Sequence, residues 1–142
     1  MKFETKSIDV RYSETDQMGF VHHSNHIKYF ELARIEWLNS LGVSFAKMEK
    51  DGIFIPVVSV NLEYKKPLFF GEQFKVVVSL EKMPKVTMDF TYSIINQKEE
   101  VVCVGATRLA FLEGKQNKVI RCPKILIDVF EKWNNNIKVD LG

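Results

Sequence analysis

The sequence is poor in the features that mark several large classes of protein. It has two cysteines, Cys103 and Cys122, and they form no closely spaced metal-binding pair. No apolar run approaches the roughly 20 residues that a membrane-spanning helix needs. The 20 basic and 18 acidic residues are mixed, which argues against the clustered basic face of a nucleic-acid-binding protein. We therefore expect a cytoplasmic protein with reduced thiols, no membrane span and no nucleic-acid partner.

The chain also lacks internal repeats, linkers and low-complexity segments. Its first ten residues alternate in polarity and include an acid, which is not the pattern of a secretory signal peptide. A length of 142 residues, with 46% hydrophobic and 27% charged residues, is typical of one globular domain. We expect residues 1–142 to form a single domain.

One long helix is predicted near the N-terminal end. Ser24 or Asn25 is suited to the N-cap, because a side-chain oxygen there can accept a free backbone N–H. Gly42 suits the left-handed position that follows a helix, so the helix should end at Leu41. Apolar residues spread around most of its circumference, which indicates a helix buried in the middle of the molecule. Arg34 stands three residues after Glu31, a spacing that permits an ion pair.

Strand patterns surround this helix. A first strand is predicted over residues 2–11, a short second helix over 43–50, and four strands over 53–65, 72–82, 86–97 and 101–113. Gly105 interrupts the last of these and predicts a bulge. Residues 119–122 could extend the sheet, and Pro123 fits the start of a closing helix through Trp133. The order predicts an α+β fold in which a curved antiparallel sheet of about five strands wraps the long helix.

The candidate functional residues lie between the first strand and the long helix. Residues 12–23 show no periodicity and read as a loop. All three histidines fall within five positions. The residues with chemical potential in this stretch are Asp16, Gly19, His22, His23, Asn25 and His26.

Several short motifs at fixed spacing connect this stretch to a known family. They are Arg11-Tyr12, Glu14-Thr15-Asp16, Met18-Gly19, Val21-His22-His23, Phe30-Glu31, Ala33-Arg34 and Glu36. Together they resemble the pattern Y-x-D-T-D-x-x-G-x-V-x-H followed by F-E-x-A-R-x-E of the hotdog-fold 4-hydroxybenzoyl-CoA thioesterase family, with its YbgC-type acyl-CoA thioesterases. The chain departs from that family at Glu14, where relatives often have aspartate, and at His26, where they often have tyrosine.

The residues of the loop suit thioester hydrolysis. Asp16 can attack the carbonyl carbon as nucleophile or activate water as general base. Free N–H groups at the helix start can stabilise the oxyanion. The resemblance assigns that task to the backbone N–H of His23, and Gly19 lets the chain turn between the two. The His23 side chain has either a packing role or a polar role near the acyl group.

The resemblance also implies where the substrate lies. It implies that Val58 and Ser59 begin the strand that passes the pantetheine arm, and that Arg121 supplies a basic group for the phosphates of coenzyme A. The expected activity is that of an acyl-CoA thioesterase without cofactor. Relatives pair two subunits edge to edge, with sites at the seam, and residues 76–80 and 101–112 are apolar on both faces. A homodimer or homotetramer is therefore expected.

Other interpretations remain open at this point. His22 and His26 have the spacing of four that a metal site on a helix uses, but no third ligand besides Asp16 is evident, so we expect no metal. A hotdog hydratase or dehydratase would need a histidine–acid pair in another helix context. The chain could also bind acyl-CoA or acyl carrier protein without catalysis, or hydrolyse acyl-carrier-protein thioesters.

Overall fold

The computed structural model describes residues 1–141, with side chains as far as residue 136. The helices are α1 (Asn25–Ser40), α2 (Phe45–Lys50) and α3 (Lys124–Leu141). The strands are β1 (Lys2–Glu4), β2 (Ile8–Asp9), β3 (Ile53–Phe54), β4 (Val57–Tyr64), β5 (Gln73–Ser79), β6 (Thr87–Asn96), β7 (Val101–Ala110), β8 (Leu112–Glu113) and β9 (Lys118–Val119). A single 3-10 turn covers Tyr12–Glu14. Within the described residues, no helix is long and apolar enough to cross a membrane.

The main sheet is antiparallel and has the strand order β1-β5-β6-β7-β4, with β2 also paired to β5. It has six strands rather than about five because the predicted first strand is split. Thr5 interrupts it: its N–H donates to the Val76 carbonyl, and its Oγ1 accepts the Val76 N–H at 3.0 Å. The Thr5 hydroxyl thus accepts a hydrogen bond that a strand carbonyl would otherwise accept. Strand pairing with β5 resumes only at β2.

A second, smaller sheet has the order β3-β8-β9. Two predicted strands are divided between the sheets. Pro56 separates β3 from β4, since proline has no N–H to contribute to a ladder. The predicted strand over 119–122 was wrong in both extent and partner. Only Lys118 and Val119 pair, and they pair with β8 rather than with the main sheet.

α1 packs its aromatic side chains on the inner face of the main sheet. Phe30 stacks on Tyr92 at 4.3 Å between ring centroids, and Trp37 stacks on Phe3 at 6.0 Å. Both helix residues are fully buried. Gly42 has φ +81° and ends the helix as predicted.

Gly105 does not form the predicted bulge. It pairs in register with Leu62 of β4 and with Tyr92 of β6. A Cβ at this position would lie 2.6 Å from Phe30 Cζ and 2.9 Å from the Asn61 carbonyl oxygen. The glycine therefore serves close approach of α1 to the sheet, not a break in the strand. The register shifts occur elsewhere, between Val57 and Ser59 and between Ile94 and Ile95.

Polar residues of α1 bond to groups other than those of the predicted Glu31–Arg34 pair. Arg34 is buried and its Nη1 donates to the Tyr92 hydroxyl at 3.1 Å, whereas Glu31 is exposed. The Glu36 carboxylate accepts the backbone N–H of Lys6 at 3.0 Å. The helix spacing allowed a Glu31–Arg34 pair, but the buried phenol of Tyr92 draws Arg34 toward the sheet.

Candidate functional site

The carboxylate of Asp16 is held by the backbone of its own loop. Oδ1 accepts the N–H of Met18 at 2.8 Å and the N–H of Phe20 at 3.2 Å. The Asp16 N–H donates to the Phe20 carbonyl at 2.7 Å, and Thr15 forms a bridge with Val21. One carboxylate oxygen is therefore fixed by peptide groups, and the other accepts no hydrogen bond from the described residues. Asp16 is half-buried.

Gly19 closes this loop. It has φ +82°, its N–H donates to the Asp16 carbonyl at 3.1 Å, and its carbonyl accepts the N–H of Phe70 at 3.3 Å. A side chain at this φ would strain the backbone, so the tight turn after Asp16 requires glycine. Gly19 thus has the turning role predicted for it.

The start of α1 lacks the predicted side-chain cap. Ser24 is the N-cap residue but has αR geometry, and its hydroxyl makes no capping bond. Its Oγ lies 2.8 Å from His22 Nδ1 instead, and that nitrogen also accepts the Ser24 N–H at 3.2 Å. The free N–H groups of the helix terminus are consequently not occupied by the side chain that usually fills this place.

Asn25 joins the helix start to the loop. Its Nδ2 donates to the Glu14 carbonyl at 2.8 Å, and the His22 N–H donates to the same oxygen at 2.8 Å. The Asn25 N–H in turn donates to the His22 carbonyl at 3.0 Å. Asn25 is buried, so its amide is a fixed link between the two segments. The sequence suggested Asn25 as a capping residue and among the residues with chemical potential, but this link to the Glu14 carbonyl was not predicted.

His23 lies at the centre of this junction. Its side chain is exposed, and its carbonyl accepts the hydroxyl of Tyr64, the last residue of β4, at 2.7 Å. The N–H groups of its neighbours His22, Ser24 and Asn25 all have partners within the chain. The His23 N–H has none among the described residues, and a free N–H here can donate to a ligand. Tyr64 was not singled out in the sequence, where it is one more residue of an alternating strand.

His26 is buried beneath these groups. Its ring lies edge-on to Tyr64 at 4.9 Å and to Tyr29 at 6.0 Å. Burial lowers the pKa of His26 below its ordinary value of 6.5, and the nearby His23 lowers it further, against a backbone hydrogen bond that raises it. A neutral, packed imidazole therefore fills the position where the resemblance expects tyrosine. Among the described residues, no three His, Cys, Asp or Glu side chains are grouped as metal ligands.

Aromatic side chains border the loop. Phe20 contacts Phe69 at 5.0 Å between centroids, and Tyr12 contacts Phe70 at 5.6 Å. Met18 is 72% exposed beside them. The sequence signal for this apolar border is the pair Phe69-Phe70 before Gly71, which was not singled out in the sequence. Such a border suits the apolar part of a ligand.

The structure does not bring the other predicted residues to Asp16 within one chain. Val58 and Ser59 lie at a register shift at the start of β4, whereas Tyr64 at its end contacts His23. Tyr64 lies six positions after Val58 along the strand, which corresponds to about 20 Å. Arg121 is exposed in the connection between β9 and α3. A cavity of about 570 Å³ lies away from the loop, along the strands of the main sheet.

Comparisons with known proteins match this chain to one family. Residues 10–133 match the family model described as the thioesterase-like superfamily. The chain is 40% identical over 128 residues to a Bacillus subtilis (strain 168) protein that bears the provisional name acyl-CoA thioesterase YneP, covering 90% of this chain and 93% of that one.

Comparison with solved structures gives the same result as the sequence comparison. A DHNA-CoA thioesterase from Staphylococcus aureus superimposes with a TM-score of 0.85 at 35% identity, over 98% of this chain and 93% of that chain. A protein from Aquifex aeolicus described as hypothetical, AQ1494, superimposes with a TM-score of 0.79 at 32% identity, over 91% and 98% of the two chains. The similarity therefore extends over nearly the whole chain and includes the loop that carries Asp16.

Proposed function

The chain belongs to the thioesterase-like superfamily and has the hotdog fold that its sequence predicts, and on this basis we propose that it is an acyl-CoA thioesterase. Its reaction adds water across the thioester and releases a free acid and the thiol of coenzyme A. The observation that supports this most directly is the fixed carboxylate of Asp16 placed one tight loop before the start of α1. The similarity to proteins named for acyl-CoA and DHNA-CoA thioesters supports the substrate class.

We propose that Asp16 begins the reaction through the oxygen that the loop leaves free. As a nucleophile, that oxygen bonds to the carbonyl carbon, the C–S bond breaks, and water then hydrolyses the acyl-aspartate anhydride. As a general base, it takes a proton from water while the water oxygen bonds to the same carbon; the C–S bond of the tetrahedral intermediate then breaks, and the proton held by Asp16 passes to the leaving thiolate. Trapping with hydroxylamine during a single turnover separates the routes. Only the nucleophilic route forms an acyl-aspartate anhydride that hydroxylamine can intercept, which leaves a hydroxamate on the acyl group or on Asp16.

The His23 N–H is the proposed oxyanion donor in either route. Negative charge grows on the carbonyl oxygen as the carbon becomes tetrahedral, and an N–H at a helix start stabilises it. The Tyr64 hydroxyl on the His23 carbonyl and the Asn25 amide on the Glu14 carbonyl hold this part of the backbone. The exposed His23 imidazole is proposed as a polar contact for the acyl group.

The remaining substrate contacts are proposed to need a second subunit. Val58 and Ser59, proposed to flank the pantetheine arm, lie far from Asp16 along β4 in the same chain. A partner joined along the exposed edge of β4 would bring another copy of this strand to the seam. We therefore propose a homodimer, able to pair again into a tetramer, with Arg121 near the phosphates of coenzyme A. We propose one catalytic domain over residues 1–142.

The cellular setting follows from the thiols and from the substrate. Cys103 and Cys122 are buried and unpaired, and burial raises their pKa values to about 11 and about 12. Such thiols are inert and need no oxidising compartment. We propose that the protein acts in the cytoplasm, on coenzyme A thioesters first and on acyl-carrier-protein thioesters as a second carrier class.

The direct test is thiol release by the purified protein from a panel of aliphatic and aromatic acyl-CoAs, measured with a thiol reagent. We expect turnover of at least one class and no loss after dialysis against a chelator. Parallel reactions with acyl-carrier-protein thioesters identify the carrier. Tight acyl-CoA binding without thiol release would instead favour the non-catalytic binding domain.

A further inference from the structure

Arg34 carries a buried charge for which the described part of the chain offers no carboxylate. The residue is 5% exposed, and none of the ion pairs among residues 1–136 includes it. Its Nη1 reaches the neutral hydroxyl of Tyr92, which is shared with Thr107 Oγ1, and its buried Nε has no partner. A guanidinium removed from water without a counter-ion is costly, so its surroundings are incomplete.

A cavity of about 340 Å³ adjoins this guanidinium. Its wall combines Arg34 with apolar side chains from α1, α2, the segment before β4, β4 and β7. The lining residues are Glu31, Arg34, Ile35, Phe45, Glu49, Ile55, Val57 and Leu109. Two carboxylates, those of Glu31 and Glu49, thus stand at the rim, and both residues are exposed.

The surfaces beside this cavity are apolar and uncovered. In the described structure β4 pairs with β7 on one side only, so its other side presents free backbone N–H and C=O groups. Val57 and Val58 on that strand are 42% and 55% exposed. On α1, Ile27 and Leu32 are 40% and 49% exposed. The exposed stripe on α1 and the edge of β4 both reach the cavity, because Glu31 of the stripe and Val57 of the strand line it.

The face carries opposite charges one helical turn apart. Glu31 lies three residues before Arg34 on α1, and it belongs to the exposed stripe with Ile27 and Leu32. When two copies of one face meet about a two-fold axis, a residue i that contacts j is matched by j contacting i. A face with an exposed carboxylate beside a buried guanidinium is therefore complementary to itself.

We propose that a second copy of this chain covers this face and that the partner subunit's Glu31 pairs with Arg34, so that each dimer contains two equivalent ion pairs. The pair supplies the counter-ion that the single chain lacks, and the apolar stripe and the β4 edge supply the buried area. This inference rests on the assembly proposed above for the thioesterase. It adds the charged contact that fixes how the two subunits are aligned.

The test is a double-mutant cycle on the dimer. The dissociation constant is measured by analytical ultracentrifugation for the wild type, Glu31→Gln, Arg34→Met and the double variant. Glu31→Gln alters an exposed residue, so it does not threaten the fold. We expect it to raise the dimer dissociation constant about 30-fold or more, because it leaves two buried guanidiniums unpaired. In the Arg34→Met background the same change should have almost no effect.

Glu49→Gln is the matched control, since Glu49 borders the same cavity. It should leave the dissociation constant unchanged in both backgrounds. An additive cycle for Glu31 and Arg34 overturns the proposal, as does a wild-type monomer throughout the micromolar range. If Glu31→Gln lowers the unfolding midpoint but leaves dimerisation unchanged, the pair lies within one chain and the proposal is again wrong. If Arg34→Met does not fold, the salt dependence of dimerisation in Glu31→Gln against wild type gives the same decision.

Failure of this inference is separable from failure of the proposed function. If the protein releases thiol from acyl-CoA but Glu31 and Arg34 show no coupling, the thioesterase proposal stands and the ion-pair proposal is wrong. If the two residues are coupled but no thiol is released, the ion-pair proposal stands and the thioesterase proposal is wrong.

Discussion

The loop–helix junction, residues 14–26, and the β4 edge, Val57–Tyr64, are organised in opposite ways. At the junction, hydrogen bonds from backbone and buried amide groups hold the Asp16 carboxylate and the helix start within one chain. At the edge, one side of the strand is unpaired in the described structure, and Val57 and Val58 are exposed. This contrast supports the proposal that the reactive geometry lies within one subunit and that a second subunit completes the walls around it. Tyr64 belongs to the edge and touches the junction, so it couples the two.

Asp16→Asn tests the junction at its centre and should have the largest effect. The substitution keeps the shape of the side chain and removes the charge, so neither nucleophile nor base remains. We expect kcat to fall about 10³-fold with the thermal midpoint and oligomeric mass unchanged. Steady-state thiol release measures the first, and calorimetry and ultracentrifugation the others.

Asp128→Asn, on the exposed side of α3, is the control for that experiment and should behave as wild type. Near-normal turnover by Asp16→Asn with an intact melt would remove Asp16 from the chemistry.

Val58→Asp tests the edge. A charge on an exposed edge strand opposes pairing with another strand. We expect the dimer to dissociate at micromolar concentration and activity to fall about 100-fold, recovering in part as protein concentration rises. Val119→Asp is the matched control, because Val119 is 62% exposed on the edge strand β9 of the other sheet. A monomeric Val58→Asp with full activity would show that one chain holds a complete site.

Asn25→Ala breaks the link between loop and helix. It removes the only side-chain bond to the Glu14 carbonyl recorded in the described structure, so the carboxylate and the helix start can shift relative to each other. We expect a loss of about 30-fold in kcat, with stability reduced by about 1–3 kcal/mol. Asn39→Ala, at an exposed position of the same helix, should change neither. Equal kcat values for the two variants would make Asn25 a purely structural residue.

Tyr64→Phe removes the hydroxyl that joins edge to junction and keeps the ring against His26. We expect kcat to fall about five- to tenfold with KM unchanged, because one neutral hydrogen bond to the His23 carbonyl is lost. Tyr12→Phe, at a phenol that is 78% exposed, controls for removal of a hydroxyl. A change confined to KM would place Tyr64 in substrate binding instead.

His26 should produce the smallest effect, visible as pH dependence. Its folded-state pKa lies below 6.5, so the unfolded chain takes up a proton first as the pH falls through 6.5. Stability therefore falls as the pH drops below 6.5 toward the lowered pKa, by no more than about 1.4 kcal/mol per pH unit. His26→Phe should reduce this slope between pH 7 and 5.5 in urea titrations. Identical slopes in the two proteins would contradict the buried neutral imidazole.

Sequence patterns predicted those helices, strands and turns whose positions depend on residues close together in the chain. Alternation located the strands, and Gly42 located the end of α1 through its left-handed φ. The Asp16–Gly19 turn was predicted for the same reason, since the residues involved are adjacent. The helix start was predicted at Ser24 or Asn25, and Ser24 is the N-cap residue, although its hydroxyl bonds to His22 rather than to a backbone N–H.

Contacts between distant residues could not be predicted in this way. Thr5 splits the first strand by bonding to Val76, and Gly105 is required by Phe30, which is 75 positions away by the printed numbering. Tyr64 reaches His23 across 41 positions. Each depends on how the sheet curves around α1, and no single window of sequence contains that information.

The backbone anchoring of Asp16 has a consequence for how this protein can diversify. Met18 and Phe20 hold the carboxylate through their N–H groups, so the identity of the side chains at residues 17 and 18 does not enter the geometry. Both residues are exposed beside the apolar border of the loop. On the proposed mechanism, mutation there would alter which acyl group is accepted while the Asp16 carboxylate stays in place. Selection could then change substrate preference at these two positions without rebuilding the Asp16–Gly19 turn.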